Sequence, residues 1–343
     1  VRRAGLRTHV FWQRSEARLC EAVAHRDGVI EDQAGHMLLV DFANRKLGGG
    51  VLGRGCVQEE ILFLIHPELF VTRLLCEALG DDECVVVRGA ERFSSYSGYA
   101  ATTDFAGPFD DTVPLVPLLL EHKTQAVLVV RDTTFIAIDA LNFGSGRVAH
   151  PLLQYAPRRV MRELNKAYCG FAACYGDTAT SSETGGCADA TKPLATGNWG
   201  CGAFKGNREL KALLQLAAAS QCGCPAMHYY AVDDEDGFVE RFSSVAARLR
   251  REDIRVGQLV GWLLDFWHRS GTDALATVAK ARAMGSSPPA EAAEAPPEIK
   301  APSVLDFVER CIEERRSTSS SSISSLSSSS GSSANCLRTS TQN

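Results

Sequence analysis

Residues 40–65 of the chain read VDFANRKLGGGVLGRGCVQEEILFLI, a predicted strand followed by five glycines within eight residues and then by a predicted helix. Glycines at this density let the backbone approach a ligand closely, and the first turn of the helix offers free amide groups. A flexible connection is the alternative, with Glu59 and Glu60 in the first helical turn because the helix dipole favours acidic residues there. On composition alone, that alternative is the simpler interpretation.

The two adjacent glutamates limit the chemistry that this segment can perform. Neighbouring residues of a helix point about 100° apart. Glu59 and Glu60 therefore cannot flank one bond from opposite sides, as the two carboxylates of most glycosidases do. If the segment is catalytic, one glutamate donates a proton and the other binds the substrate.

A second glycine-rich loop, ATGNWGCGAFKGN at residues 195–207, precedes a predicted helix at 208–220. Its amides and the helix N-terminus would form an anion cradle. The loop is not a P-loop, because no Gly-Lys-Ser/Thr follows, and its glycine spacing differs from the dinucleotide fingerprint. Diphosphate recognition and an ordinary turn are equally compatible with it.

Strand-like and helix-like segments are interleaved along the chain. Apolar runs predict strands at 37–43, 84–90, 126–130, 134–141 and 228–232. Apolar residues at i, i+3 and i+4 predict helices at 58–65, 68–79, 157–171, 208–220 and 256–270. Continuous apolar runs are typical of strands covered on both faces. The pattern predicts an α/β domain with a mixed sheet.

The composition excludes several classes of protein. The chain has 343 residues, 45% of them hydrophobic, and no apolar run approaches the roughly 18 to 20 residues of a membrane-spanning helix. Its 36 Lys plus Arg and 41 Asp plus Glu give a net charge of −5, so an anionic ligand must be held by a local site. The twelve cysteines are scattered, and we interpret them as reduced thiols. For Cys222 and Cys224, ordinary thiols are favoured over a metal site.

The first glycine segment resembles the signature of the poly(ADP-ribose) glycohydrolases, a glycine triplet, a short spacer and Gln-Glu-Glu. The resemblance includes GGGVLGRGCVQEE (48–60), FANR before it and ILFLIHPEL after it. Further segments resemble the catalytic domain of that family in the same order: SSYSGYA (94–100), IAIDALNF (136–143), MRELNKAYCGF (161–171) and ATGNWGCGAF (195–204). The resemblance covers about residues 28–270.

This resemblance implies a macrodomain-like fold, with a mixed β-sheet sandwiched between helices. It also implies hydrolysis of the ribose–ribose O-glycosidic bonds of poly(ADP-ribose), with one glutamate as general acid and base and an oxocarbenium-like transition state. By position, Glu60 takes the catalytic acid role, and Glu59 and Asn44 hold the ribose under attack. The other substrate-binding positions that it implies are Ile30, Glu31, Asp41, Gly49, Gly50, Gln58, Tyr99, Asn198, Gly200, Cys201, Gly202, Ala203 and Phe204.

Within that set, Ile30 and Glu31 match the segment that meets the adenine, and residues 198–204 match the diphosphate loop. Tyr99 would reach over the nucleotide, although an isolated tyrosine after a turn is more typical of a packed core side chain. One departure concerns the adenosine. The family has an aromatic residue near the end of the strand that residues 228–232 resemble, where this chain has Ala231 or Val232. We therefore expect weaker stacking on the adenosine.

Resemblance and composition together divide the chain into five parts. Residues 1–27 are interpreted as the remnant of an N-terminal accessory region, and 28–280 as the catalytic domain. An Ala/Pro-rich linker is predicted at 281–303 and a short amphipathic helix at 304–316. The Ser-rich residues 317–343 are predicted to form a disordered tail, because they have too little apolar surface to offset the entropy of ordering.

The expected partners are poly(ADP-ribose) on modified proteins and the product ADP-ribose. We expect no cofactor, no metal, no direct nucleic-acid binding and no membrane, and a location in the nucleus, the cytoplasm or both. A non-catalytic reader of ADP-ribose is the alternative, and the presence of both Glu59 and Glu60 argues against it. A nicotinamide-dependent oxidoreductase is disfavoured, because no glycine fingerprint with a ribose-binding acid follows the first strand.

Overall fold

A mixed β-sheet lies at the centre of the structure, a computed structural model that describes residues 1–119, 127–144, 151–176, 190–232, 234–272 and 302–329. In chain order, the strands within these residues are β1 (Arg2–Arg3), β2 (Glu21–His25), β3 (Leu38–Asp41), β4 (Glu83–Arg88), β5 (Ser94–Ser97), β6 (Asp104–Pro108), β7 (Leu115–Leu119), β8 (Val127–Arg131), β9 (Thr134–Ala137), β10 (Leu194–Gly197) and β11 (Ala226–Tyr230). The described part of the central sheet has seven strands in the order β1-β4-β9-β3-β10-β11-β2. β5 pairs with β6, and β7 with β8, in separate hairpins.

Parallel strands make up one side of the central sheet. β2 pairs with β11, β11 with β10, β10 with β3 and β3 with β9, all in parallel. β4 lies antiparallel to β9, and β1 lies antiparallel to β4. The carboxyl ends of parallel strands meet at one edge of a sheet, which is where open α/β sheets bind ligands.

The central strands bury side chains on both faces. In β3, Leu38 belongs to one hydrophobic core and Leu39 to the other. In β9, Ile136 and Phe135 divide in the same way. Successive side chains of a strand point to opposite faces, so a fully apolar run needs two covering layers. The sequence prediction of doubly covered strands is confirmed for these two runs.

Helices form the two covering layers. In chain order they are α1 (His9–Gln13), α2 (Gln58–Ile65), α3 (Phe70–Leu75), α4 (Pro157–Tyr175), α5 (Arg208–Gln221), α6 (Phe238–Arg251), α7 (Val256–Arg269) and α8 (Val304–Ser329), with 3₁₀ turns at Ile30–Gln33, Pro67–Leu69, Ala100–Thr102 and Pro151–Tyr155. α4, α5 and α7 pack together in the core that contains Leu38, whereas α2 packs in the core that contains Leu39. None of the described helices is both long and apolar enough to cross a membrane.

Four of the five helices predicted from periodicity are confirmed, as α2, α4, α5 and α7. α5 begins after Asn207, whose side-chain oxygen accepts the Leu210 amide at 2.9 Å and so caps the helix. The helix predicted at 68–79 is shorter than expected. α3 ends at Leu75, which is exposed, and the backbone of Cys76 is already extended. Without apolar partners at its end, the periodic pattern does not extend the helix further.

The apolar run at 126–130 is not covered on both faces, and this expectation is wrong for its described residues. β8 pairs with β7 in a hairpin outside the central sheet. Val127, Leu128 and Val129 are 53%, 48% and 66% exposed. An apolar run favours an extended backbone, but it does not determine whether another layer covers the strand.

Residues 1–27, interpreted from the sequence as the remnant of an accessory region, lie within the α/β unit. They supply β1 and β2 to the central sheet, with β2 beside β11. In α1, Trp12 is fully buried and donates its indole N–H to Asn165 Oδ1 at 3.0 Å. This segment is therefore integrated into the sheet and into the core around α4.

α8 packs against α6 and α7 and buries Leu305, Val308 and Ile312. It begins at residue 304, as predicted, and continues past the predicted end at 316 to Ser329. The Ser317 hydroxyl donates to the carbonyl of the residue four positions earlier, at 3.0 Å. Such local bonds continue a helix without burying surface. Residues 273–301 and 330–343, which contain most of the predicted linker and the end of the predicted tail, lie outside the described residues.

Two truncations should differ sharply in stability. Deletion of residues 317–343 should leave the melting temperature unchanged, because the described side chains there, Ser317 and Thr318, are exposed. Deletion of 303–343 removes the buried face of α8. At about 1.5–3 kcal/mol for each large apolar side chain, this loss should lower the melting temperature by more than about 10 °C. Scanning calorimetry of both proteins tests the difference, and equal melting temperatures would contradict the assigned packing of α8.

Candidate functional site

A cavity of about 330 Å³ opens at the carboxyl ends of β2, β3, β10 and β11. Seven of the residues singled out in the sequence line it: Ile30, Glu31, Gln58, Tyr99, Asn198, Cys201 and Gly202. Val232, named from the sequence as a departure from the family, also lines it, and sequence reasoning missed another eight: Gly28, Val29, Phe42, Ile61, Tyr96, Gly206, Arg208 and Tyr230. The cavity therefore lies between the second glycine loop, the start of α2 and the ends of several strands.

The first three residues of α2 fold the glycine loop onto the helix. Gln58 accepts the Phe42 amide at 2.9 Å and donates to the Val40 carbonyl at 3.1 Å. Glu59 accepts two backbone amides through separate oxygens, from Gly48 at 2.6 Å and Asn44 at 2.8 Å. These bonds hold the end of β3 and the start of the loop against the helix.

Glu60 binds the middle and the end of the same loop. Its Oε1 accepts the Gly50 amide at 2.8 Å and its Oε2 the Val57 amide at 3.0 Å. Gly49 has a positive φ of 45°, and a Cβ there would lie 2.4 Å from Glu60 Oε1. Glycine is therefore required at this position, both for its backbone conformation and to admit the carboxylate.

Asp41, Glu59 and Glu60 form a buried carboxyl cluster beside the cavity. They are 3%, 3% and 6% exposed, and none of them is among the residues that line the cavity. Burial, together with the charge of Glu60, raises the pKa of Asp41 to about 8. Burial also raises the pKa of Glu59, against the opposing effect of its two amide donors. At neutral pH the cluster therefore retains protons, and Asp41 is chiefly in its acid form.

Buried residues fix the second glycine loop on the side that packs against the protein core. The Trp199 indole donates to the Ile138 carbonyl at 2.9 Å. Gly200 has a positive φ of 72°, and a Cβ there would lie 2.5 Å from the Cβ of Ala140. Gly202, in contrast, has open space around the position of a Cβ, and it lines the cavity. The loop is therefore tightly packed on its inner side and open towards the cavity.

A buried ionic network lies beneath this loop. Lys211 of α5 contacts the Glu163 carboxylate and places its Nζ 3.9 Å from the ring centroid of Trp199. Arg162 pairs with Glu163 at 2.7 Å and with Asp139 at 2.6 Å. Burial lowers the pKa of Lys211. Because buried charges are stable only when paired, this network links α4 and α5 to the loop at a fixed position.

Aromatic side chains surround the other end of the cavity. The Tyr96 hydroxyl donates to the buried Glu31 carboxylate, whose pKa is raised by burial. Tyr99 is 39% exposed and lines the cavity, so it is not the core residue that its isolated position favours. Tyr230 stacks on His25, with ring centroids 4.5 Å apart. The strand thus contributes an aromatic ring at Tyr230, although Ala231 or Val232 stands where the family resemblance implied one.

The remaining predicted positions lie close to the cavity but outside its lining. Asn44 and Gly50 belong to the first loop, where both donate backbone amides to the carboxyl cluster. Ala203 and Phe204 belong to the second loop, and the Phe204 carbonyl accepts the Phe143 amide at 2.8 Å. Within the described residues, no group of three His, Cys, Asp or Glu side chains is arranged to hold a metal ion.

Comparison with known proteins settles the family. Residues 9–237 match the family model for poly(ADP-ribose) glycohydrolase, macro domain fold, and this range contains both glycine loops and the whole cavity lining. The chain belongs to the poly(ADP-ribose) glycohydrolase family. Its fold is the macro domain fold, as the sequence resemblance implied.

Individual members of the family show the same relationship. Poly(ADP-ribose) glycohydrolase 1 of Arabidopsis thaliana is 35% identical over 275 residues, 64% of this chain and 47% of that protein. Probable poly(ADP-ribose) glycohydrolase 2 of the same plant is 32% identical, over 74% of this chain and 50% of that protein. Poly(ADP-ribose) glycohydrolase 1 of Caenorhabditis elegans is 32% identical, over 72% of this chain and 30% of that protein. The chain spans half or less of the length of these curated relatives.

Within this family site, Asp41 should make stability depend on pH. Its pKa is raised from about 3.9 in the unfolded chain to about 8 in the folded protein. Because the pKa is higher in the folded protein, the contribution of this carboxyl to the free energy of unfolding is fully present below its pKa in the unfolded chain. That contribution is lost as pH rises towards its pKa in the folded protein. Asp41→Asn cannot ionise, so it should escape this loss and melt about 5–10 °C higher than the wild type at pH 8.

The difference should shrink towards zero as pH falls below about 3, where the Asp41 carboxyl is protonated in both the folded and the unfolded wild-type chain. Asp265→Asn is the matched control, because Asp265 is exposed on α7. Its melting temperature should follow that of the wild type at every pH. A difference for Asp41→Asn that does not change with pH would show that its carboxyl is not titrating in the folded protein.

Proposed function

We propose that the chain hydrolyses the ribose–ribose O-glycosidic bonds of poly(ADP-ribose) on modified proteins and releases ADP-ribose. The observation that carries this proposal is the carboxyl cluster of Asp41, Glu59 and Glu60, held beside a cavity that the second glycine loop helps to line. The names of the relatives support the same activity. The resemblance and the reduced thiols favour action in the nucleus, the cytoplasm or both.

ADP-ribose has three parts, and the cavity offers a different surface to each. The diphosphate lies over residues 198–204, where Gly202 leaves the loop open towards the cavity and free backbone amides suit an anion. The adenine lies by Ile30 and Tyr230. The ribose under attack lies towards Gly49 and the carboxyl cluster. This orientation brings the anomeric carbon near Glu60.

Glu60 performs both proton transfers of the reaction. In its acid form it donates a proton to the departing ribose oxygen as the bond from that oxygen to the anomeric carbon breaks. The oxocarbenium-like centre that forms is stabilised by the negative charge of the nearby diphosphate. Ionised Glu60 then takes a proton from the water that attacks the anomeric carbon, which restores the acid. Assistance of this kind is typically worth roughly 10² to 10⁴ in rate.

Glu59 and Asp41 support this step without transferring the proton. Two amides fix the Glu59 carboxyl group, so it is held rigidly for hydrogen bonding to the ribose hydroxyls. Asp41, largely protonated at pH 7, limits the negative charge next to Glu60. Such a buried carboxyl cluster opposes folding, and a protein that only reads ADP-ribose has no use for it. This consideration favours the hydrolase over the non-catalytic reader.

Glu60→Gln separates catalysis from binding. The substitution retains shape and removes the acid, so release of ADP-ribose should fall by at least about 10² while ADP-ribose still binds. The substrate is poly(ADP-ribose) of defined length, and chromatography measures the ADP-ribose released from it. Calorimetry measures ADP-ribose binding. Near wild-type release would exclude Glu60 as the acid, and a wild-type protein that binds without any release would be a reader.

Two further variants complete the comparison. Glu59→Gln should reduce release through misplacement of the ribose, and the double variant Glu59→Gln, Glu60→Gln should be no slower than Glu60→Gln alone, since both residues serve one sugar. Glu77→Gln is the control, because Glu77 is an exposed glutamate outside the cavity. It should retain full activity.

The diphosphate loop is tested by two glycine substitutions with opposite expectations. Gly202→Val has room in the free protein, so its melting temperature should match that of the wild type, while the branched side chain occupies the cavity and weakens ADP-ribose binding by at least about tenfold. In Gly200→Val the new side chain would clash with Ala140, and valine would be strained at the positive φ of this position. This variant should therefore have a lower melting temperature than the wild type. Normal calorimetric binding by Gly202→Val would place the diphosphate elsewhere.

A further inference from the structure

Arg208 is the one lysine or arginine among the described residues that line the cavity. It is the first residue of α5 and directly follows the second glycine loop. Its side chain is 20% exposed, and it shares the cavity wall with Gly202 and Gly206. A cation at a helix N-terminus is unfavourable, since the helix dipole is positive there. Its position therefore needs negative charge nearby.

In the free protein, the acidic segment after β11 supplies that charge. The Arg208 guanidinium pairs with the Asp236 carboxylate and lies 4.0 Å from Asp234 Oδ1. It also stacks over the Phe238 ring, with Cζ 4.7 Å from the ring centroid. The two aspartates differ in their surroundings. The Asp234 side chain is fully buried and caps α6 by accepting the Val239 amide at 3.2 Å, whereas the Asp236 side chain is 68% exposed.

We propose that Arg208 is a diphosphate-binding residue and that Asp236 is its counter-ion in the free protein, displaced when the diphosphate enters. The inference rests on the proposed function. The guanidinium fork matches two phosphate oxygens, and a charge-assisted bond to phosphate is stronger than an ion pair with an exposed carboxylate. Asp234 and Phe238 hold the base of the guanidinium in place during this exchange. The loop amides contribute dipoles, and Arg208 contributes the full charge that they lack.

The exchange predicts opposite effects for the two partners. Arg208→Gln should weaken binding of ADP-ribose and of ADP by about tenfold or more, because a bond between charged groups is lost. Its affinity for adenosine, which has no phosphate, should stay unchanged. Asp236→Asn removes the competitor and should tighten ADP-ribose binding by about two- to fivefold. The double variant should bind like Arg208→Gln, because Asp236 acts through Arg208 alone.

Calorimetric titration of the full chain with ADP-ribose, ADP and adenosine tests each arm. Arg208→Lys keeps the charge without the fork and should lie between the wild type and Arg208→Gln, and it serves as the second variant if Arg208→Gln does not fold. Arg241→Gln is the matched control, since Arg241 pairs with Glu209 and Asp306 outside the cavity. It should bind all three ligands as the wild type does.

The outcomes are distinguishable. Unchanged ADP affinity in Arg208→Gln, or equal losses for ADP and adenosine, would overturn the role of Arg208. Weaker ADP-ribose binding by Asp236→Asn would show that Asp236 positions Arg208 and does not compete with the ligand. A wild-type protein that binds none of the three ligands would instead contradict the proposed function itself.

Discussion

The site depends on one set of hydrogen bonds: side chains in the first turn of α2 accept backbone amides of the first glycine loop. In most helices the first amides remain open to solvent or to a capping side chain. Here Glu59 and Glu60 turn back and bind the amides of the preceding glycine loop, while Gln58 holds the end of β3. A loop with five glycines would otherwise be flexible, because glycine restricts the backbone least. Its order therefore comes from the same side chains that carry the proposed chemistry.

The two glycine loops differ in electrostatic character, the first lying beside the cavity and the second forming part of its wall. The loop between β3 and α2 surrounds carboxyl groups, and the loop between β10 and α5 is fixed by Trp199 and lies above a paired lysine. One loop therefore suits proton transfer and the other an anion. The carboxyl cluster leaves Asp41 Oδ1 without a hydrogen-bond partner among the described residues. An unsatisfied buried polar atom lowers stability, and such features persist where function requires them.

The sequence predicts those parts of this structure that local pattern determines. The helix at 58–65 is found at its observed bounds, because its apolar period and its acidic first turn agree. β2 and β10 are missed because their sequences, EAVAH and LATG, contain no continuous run of large apolar or β-branched residues. Tyr96, Arg208 and Tyr230 lie in segments that the sequence already singled out, yet their convergence on one cavity depends on the order of the parallel strands. Strand order depends on contacts between residues far apart along the chain, so local sequence patterns do not reveal it.

The proposed substrate is a polyanion, so this chain would have to hold it locally against its own net charge of −5. Backbone amides solve part of this problem, because they attract anions without adding charge to the surface. A field of lysines would attract the polymer more strongly, but it would also hold the product. A single arginine that is already paired with an exposed aspartate would retain the product less strongly than such a field of lysines. In the proposed exchange, the diphosphate displaces Asp236 as it binds and Asp236 replaces the diphosphate as it leaves. A paired Arg208 would then provide specificity for phosphate while limiting the affinity for the product.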